Sequence, residues 1–231
     1  MLRERILPFL IRRKYEVLLV ALIQHLYIGI VLTDLLVYEQ IVWPLNMFLL
    51  GVASIGLFEE KEKWRQRLKN ILTLLVIGLP VTMVVVGRSN LLMLIISAVY
   101  VVYFVVIFTE IIRFLIRPSY INADIISAAA CGYFLLIEMS VFVYSILFYL
   151  DVQAFSGVDP ANPATAFMDL VYYSTITVTT IGYGDIAPIS YSSRLIVSLF
   201  GMAAQFYSVV LVGILISKFT SGGGGVPESE S

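Results

Sequence analysis

Apolar residues in this chain come in long runs separated by short polar punctuation. Six runs stand out, at 15–37, 42–60, 69–87, 91–116, 123–150 and 191–218. Each is close to the roughly 20 residues a helix needs to cross a hydrocarbon core. The punctuation suits helix ends. Pro44 fits the first turn of the second run, where a missing N–H costs nothing. Gly87-Arg88-Ser89-Asn90 reads as a tight turn. Arg117-Pro118-Ser119 ends the fourth run, because proline disfavours helix in the residue before it. Asn122 or Asp124 can cap the fifth.

The pattern breaks between the fifth and sixth runs. Residues 151–164, DVQAFSGVDPANPA, are polar and rich in turn formers. AFMDLVYYSTITV, 166–178, can be a helix but is too short to span. Then comes TTIGYGD, Thr179 to Asp185, followed by Ile186-Ala187-Pro188. A short helix followed by glycine-bearing backbone, set between two spans, is a re-entrant loop pattern. Such backbone is tolerated at membrane depth only where protein or a water-filled pore surrounds it.

Composition agrees with a polytopic membrane protein. Hydrophobic residues make up 60 % of the 231 and charged residues 13 %, against roughly half and a quarter in soluble domains. The net charge of −1 matters less than where the charges lie. With the amino end inside, thirteen of the fifteen Lys and Arg residues fall in inner segments; Arg88 and Arg194 are the exceptions. This bias places both termini in the cytoplasm of a plasma or bacterial inner membrane. The basic residues 1–14 form either a short interfacial helix or a frayed tail. The single cysteine, Cys131, and single histidine, His25, give no basis for a metal centre or an intrachain disulfide. The segment SGGGGVPESES at the carboxyl end reads as a flexible tail.

The hydroxyls and glycines of 179–185 would fill a hydrophobic core poorly. They suit another task. Backbone whose successive carbonyls face one way must alternate its dihedral angles, and Gly182 and Gly184 supply conformations that other residues resist. Carbonyls aimed at a common axis replace the water shell of a monovalent cation. Thr180 can add its hydroxyl. One chain cannot close such a ring, so a symmetric oligomer follows.

Thr179-Thr180-Ile181-Gly182-Tyr183-Gly184-Asp185 resembles the selectivity filter of the tetrameric potassium channel family. The resemblance covers about 123–218 in the pore region and extends more weakly over 1–117. It implies an all-α membrane protein with six transmembrane helices, and a re-entrant pore helix and filter between the fifth and sixth. It divides the chain into 1–14, an interfacial segment; 15–117, a voltage-sensor-like domain; 118–218, the pore domain; and 219–231, the tail. The carbonyls of Thr180, Ile181, Gly182 and Tyr183, with the Thr180 hydroxyl, would bind K+, and Gly184 completes the motif. Tyr172 and Tyr173 match the paired aromatics around the filter, where the family usually has tryptophan. Asp185 would hydrogen-bond toward Tyr172. Ile176 stands where some members place a glutamate. On the last helix, Ala204 falls where many members have a hinge glycine, with Gly201 and Gly213 as nearby substitutes. Gln205, Ser208 and Val212 share a face that would line the cavity. Gln205 either hydrates the ion or bonds to a neighbouring helix.

The chain departs from the voltage-gated pattern in its fourth run. LLMLIISAVYVVYFVVIFTEII, 91–112, contains no basic residue. Steep sensing uses about three or four charges per subunit, each worth about 2.3 kcal/mol per 100 mV. Weak or absent voltage dependence is therefore expected. The short fourth-to-fifth connection, Pro118–Asn122, predicts that the sensor-like domain packs on its own pore domain. Glu138, inside the fifth run, is either held by a structural bond to a pore-domain hydroxyl or has a proton-linked modulatory role. The expected partners are three further copies of the chain and membrane lipids. No nucleic acid is expected, and no ligand-sensing domain is visible. The leading reading is a homotetrameric potassium-selective channel. A poorly selective cation channel, a non-conducting regulatory subunit and, with least support, a membrane enzyme compete with it.

Overall fold

The computed structural model describes residues 13–31, 34, 37–54, 63–86, 89–116 and 123–222. The first described helix, α1 (Lys14–Tyr27), carries Glu16 in its first turn, where a negative charge suits the helix dipole. It tightens into a single 3₁₀ turn, Ile28–Ile30, and stops there. The expected unbroken span 15–37 is thus corrected. Gly29 lies at the break, and its missing side chain admits Met168: a Cβ would sit 2.9 Å from the Met168 sulfur. A weak helix former serves a close approach here.

A π-helical turn, Tyr38–Val42, leads into α2 (Trp43–Ser54). Pro44 explains the wide turn, since its ring crowds the carbonyl four residues back and it has no N–H to offer. The expected second span ran to 60, and its last six residues lie outside the described ones.

Helix α3 (Lys63–Val86) begins six residues before the expected boundary at 69. The basic residues at its start oppose burial in lipid, not helix formation, so apolarity located the span and missed the helix end. Pro80 lies inside it and cannot bond to the carbonyl of Val76. The Tyr100 hydroxyl, from α4 (Asn90–Ile116), donates to that carbonyl at 2.6 Å. The backbone acceptor freed by proline is satisfied by a buried tyrosine.

Helix α5 (Ala123–Leu150) has the bounds expected from hydropathy. It is the centre of the molecule. Helices α1 and α4 of the same chain lie along it, and Tyr100, Phe104, Phe142 and Phe167 meet in the main core. Cys131 is buried in the α1–α5 seam, its thiol donating to the Tyr15 carbonyl at 3.2 Å. Gln24 donates to Asn46 at 2.9 Å and ties α1 to α2. The connection 117–122, where the short linker was expected, lies outside the described residues.

After α5 the chain makes a short turn and a two-residue strand, β1 (Phe155–Ser156), then α6 (Pro163–Val178). Asn162 caps α6 by accepting from the Ala164 N–H at 2.8 Å, with Pro163 at the first helical position. Strand β2 (Ala187–Pro188) pairs antiparallel with β1, Phe155 opposite Pro188. Gly157 has φ +81, and a Cβ there would lie 2.5 Å from the Asp185 carbonyl oxygen. The last helix, α7 (Tyr191–Gly222), runs four residues past the expected end at 218, into the segment read as tail. Tyr144, Phe155, Leu170, Tyr173 and Ile186 form a second core under this outer layer.

Among the described residues, α4, α5 and α7 are long and apolar enough to cross a membrane. Shorter apolar stretches occupy Gln40–Ser54 and Asn70–Thr82.

Candidate ion-conduction site

The residues from Thr179 to Asp185 are placed by the end of α6. The helix closes with the Thr179 N–H on the Thr175 carbonyl at 2.9 Å and the Thr180 N–H on the Thr177 carbonyl at 3.1 Å. The chain then turns back. The N–H groups of Ile181 and Gly182 both reach the Ile176 carbonyl, at 2.8 and 3.1 Å. Ile176 is buried. It offers no carboxylate, and its main-chain oxygen holds the loop.

Dihedral signs alternate beyond this point. Thr180 (φ 63), Gly182 (φ 56) and Gly184 (φ 81) are left-handed, while Ile181 and Tyr183 are not. Alternation of this kind lets successive carbonyls face one side. Thr180 is the one non-glycine residue with positive φ among those described. For a β-branched side chain that conformation is unfavourable, by about 1–2 kcal/mol. Added Cβ atoms at Gly182 and Gly184 would meet nothing within 4 Å in this chain. The glycines therefore answer a conformational need, with no crowding inside the subunit. Ile181 and Tyr183 are largely exposed.

Behind the loop, the Tyr172 hydroxyl donates to Asp185 Oδ2 at 2.7 Å, and the Ile186 N–H donates to Asp185 Oδ1 at 3.0 Å. The tyrosine hydrogen bond, above all, holds the Asp185 carboxyl below the usual carboxylate range. The same bond to the carboxylate pushes the Tyr172 hydroxyl up to about 12. Tyr173 points the other way, into the second core beside Tyr144 and Phe155.

On α7, Ala204 is buried within the chain, while Gln205 and Val212 are exposed. Ser208 is half-buried and donates to the Ala204 carbonyl at 2.9 Å. Leu195, Leu199, Met202, Phe206 and Val209 form a broad exposed apolar face. On the opposite side the Tyr207 hydroxyl donates to the Ala129 carbonyl of α5 at 2.7 Å, passing over Gly132. A Cβ at Gly132 would lie 2.1 Å from that hydroxyl. Sequence reasoning missed this seam, since neither residue signals the other locally.

Glu138 is fully buried, and its partner differs from the expected hydroxyl. Its Oε1 lies 2.7 Å from His25 Nδ1, and His25 is buried as well. The signal was the pairing of two polar residues on apolar helices, the chain's one histidine among them.

A family model described as "Ion channel" matches residues 132–221, which run from mid-α5 through this site to the end of α7. The chain is 28 % identical to the voltage-gated potassium channel Kch of Escherichia coli K12 over 188 residues, covering 74 % of this chain and 43 % of that protein. It is 35 % identical to two pore potassium channel b of Oryza sativa subsp. japonica over 74 residues, 32 % of this chain and 19 % of that one. It is 34 % identical to potassium voltage-gated channel subfamily KQT member 1 of Squalus acanthias over 96 residues, 42 % and 14 % respectively. The chain thus spans less than half the length of these relatives. No solved structure matches it. Residues 132–221 thus match the ion channel family model, and the relatives to which the chain is similar are potassium channels.

Proposed function

We propose that the chain is one subunit of a homotetrameric pore that conducts K+ passively and selectively. The observation that carries this reading is the alternation of dihedral sign from Thr180 to Gly184, on a loop anchored at Ile176 and buttressed by Tyr172 and Asp185. In the assembled pore the carbonyls of Thr180, Ile181, Gly182 and Tyr183 and the Thr180 hydroxyl replace the water around the ion. Helix α6 with its loop re-enters the membrane between α5 and α7, inside six spanning helices with both termini on the inner side. Gln205 and Val212 of α7 face the cavity, and Ala204 is the local hinge position. The sensor-like domain, 15–117, and the pore domain, 118–218, belong to the same subunit layer. The host is a plasma or inner membrane, with lipid as a further partner.

Voltage dependence is weak or absent in this reading. Between Asn90 and Glu110, α4 carries no basic residue. Arg113, near its end, is exposed and hydrogen-bonded to Glu110 on its own helix. A charge at the headgroups crosses little of the field.

The test is ion flux through purified protein in liposomes, with K+ and Na+ gradients and Ba2+ as blocker. The expected result is Ba2+-sensitive K+ flux with little Na+ flux, lost in Gly182→Ala. Equal Na+ flux would replace the reading with a poorly selective cation pore. A folded tetramer silent under every condition would replace it with a regulatory subunit.

A further inference from the structure

We propose that His25 and Glu138 form a proton-binding site that latches α1 to the pore domain and lets pH set the position of α6. The inference rests on the conducting-pore reading and adds a regulator to it. His25 Nδ1 and Glu138 Oε1 lie 2.7 Å apart, both side chains wholly buried, on helices more than a hundred residues apart in sequence. His25 Nε2 and Glu138 Oε2 find no hydrogen-bond partner among the described residues. The surroundings are aromatic. Phe142 of α5 stacks on the imidazole at 6.2 Å, and Phe167 of α6 meets it edge-on at 5.7 Å. Among the described residues, two further ionisable side chains face Glu138 from the other packed elements, Tyr38 from the π-helical turn and Tyr100 from α4. Neither supplies a cation. Among the described residues, the imidazole is therefore the group that balances this carboxylate.

Proton count decides whether such a pair is tolerable. With one titratable proton shared, as imidazolium with carboxylate or imidazole with carboxylic acid, the pair is neutral overall and keeps its hydrogen bond. A second proton leaves imidazolium beside a neutral acid, a net positive charge in an apolar core. Loss of the shared proton leaves an uncompensated carboxylate. Both states are costly to bury, so each favours separation of α1 from α5.

The separation would reach the filter. The same end of α1 grips α6 at three successive places. His25 touches Phe167, Gly29 admits Met168, and the Tyr27 hydroxyl lies 3.1 Å from Thr175 Oγ1. Thr175 in turn accepts, through its carbonyl, the N–H and hydroxyl of Thr179 at the start of the filter loop. His25 and Glu138 are positioning residues: they touch no ion and act through α6.

The chain's one histidine makes the test direct. Protein labelled with 15N-histidine in liposomes gives a single imidazole signature. This is followed from about pH 4 to pH 9, with K+ flux measured on the same preparation. The expected result is that the imidazole signature and the flux change over one pH interval, flux falling on the acid side. Glu138→Gln moves the imidazole transition and removes the pH dependence of flux. The double variant His25→Leu with Glu138→Leu leaves no buried charge to misfold the chain, and it conducts without pH dependence. An imidazole signature constant across the range, or a Glu138→Gln profile identical to the parent, would overturn the proposal. No flux at any pH, with an imidazole transition that Glu138→Gln moves, would count against the pore reading and leave the proton site standing.

Discussion

Helices α5 and α7 are nearly equal in hydropathy, yet 72 % of the most apolar window of α5 is buried within the chain, against 17 % for α7. Composition does not separate them; surroundings do. Helix α5 is covered by α1, α4, α6 and one face of α7. Helix α7 touches the chain along the seam of Ala204 and Tyr207 and leaves Leu199, Met202 and Phe206 uncovered. In the proposed pore, part of that bare face would meet lipid, which accepts any apolar surface. Gln205 lies beside it, and a polar side chain is poorly placed against lipid. The exposed loop 179–185, the proposed filter, is the other part of the molecule that other copies would complete. In this account α5 is finished by its own subunit, and α7 by its neighbours.

Substitutions on the two helices should therefore fail in different ways. The largest effect is expected for Phe206→Asp, on the bare face of α7. It should abolish assembly while circular dichroism still reports a helical chain; tetramers that survive it would break the comparison. Next comes Leu135→Ala, at a fully buried position of α5. It should lower the stability of the chain itself by about 2–5 kcal/mol, read by denaturant titration in detergent. A matched pair of glycines sharpens the contrast. Gly132→Ala forces Tyr207 off the Ala129 carbonyl and should cost about 1–3 kcal/mol. A Cβ at Gly201 meets nothing within 4 Å of its own chain, so Gly201→Ala should stabilise the monomer helix by about 0.5–1 kcal/mol, and any loss of assembly or function reports a neighbour.

The smallest effect concerns pH at the filter. The Asp185 carboxyl is depressed by its bond to Tyr172. Its contribution is therefore complete above the ordinary carboxylate value of about 4 and is lost only as pH falls through the lowered one. In the variant with leucine at both His25 and Glu138, Ba2+-sensitive flux should stay level on acidification to about pH 4.5. A fall well above that value would mean that the Tyr172–Asp185 bond is not what holds the carboxyl.

Much of this was legible in the sequence, for local reasons. The bounds of α5 followed from hydropathy alone, and those of α4 to within a residue. The need for alternating dihedrals at Thr180–Gly184 followed from the glycine spacing. The Tyr172–Asp185 contact, implied by the family resemblance, is present in the fold. Where the reading failed, the cause was a partner distant in sequence. Gly29 ends α1 where Met168 must approach, Tyr100 answers a carbonyl that Pro80 cannot, and Glu138 meets His25 across 113 positions. None of these pairings leaves a periodic trace, since each depends on which helices become neighbours.

The central claim is that four copies complete what α7 leaves open. The most direct measurement is the mass of the protein component in detergent or nanodisc particles, by light scattering or native mass spectrometry, for the parent and for Phe206→Asp. The account predicts four chains per particle for the parent and single chains for the variant. A folded parent that remains a single chain at all concentrations would contradict it.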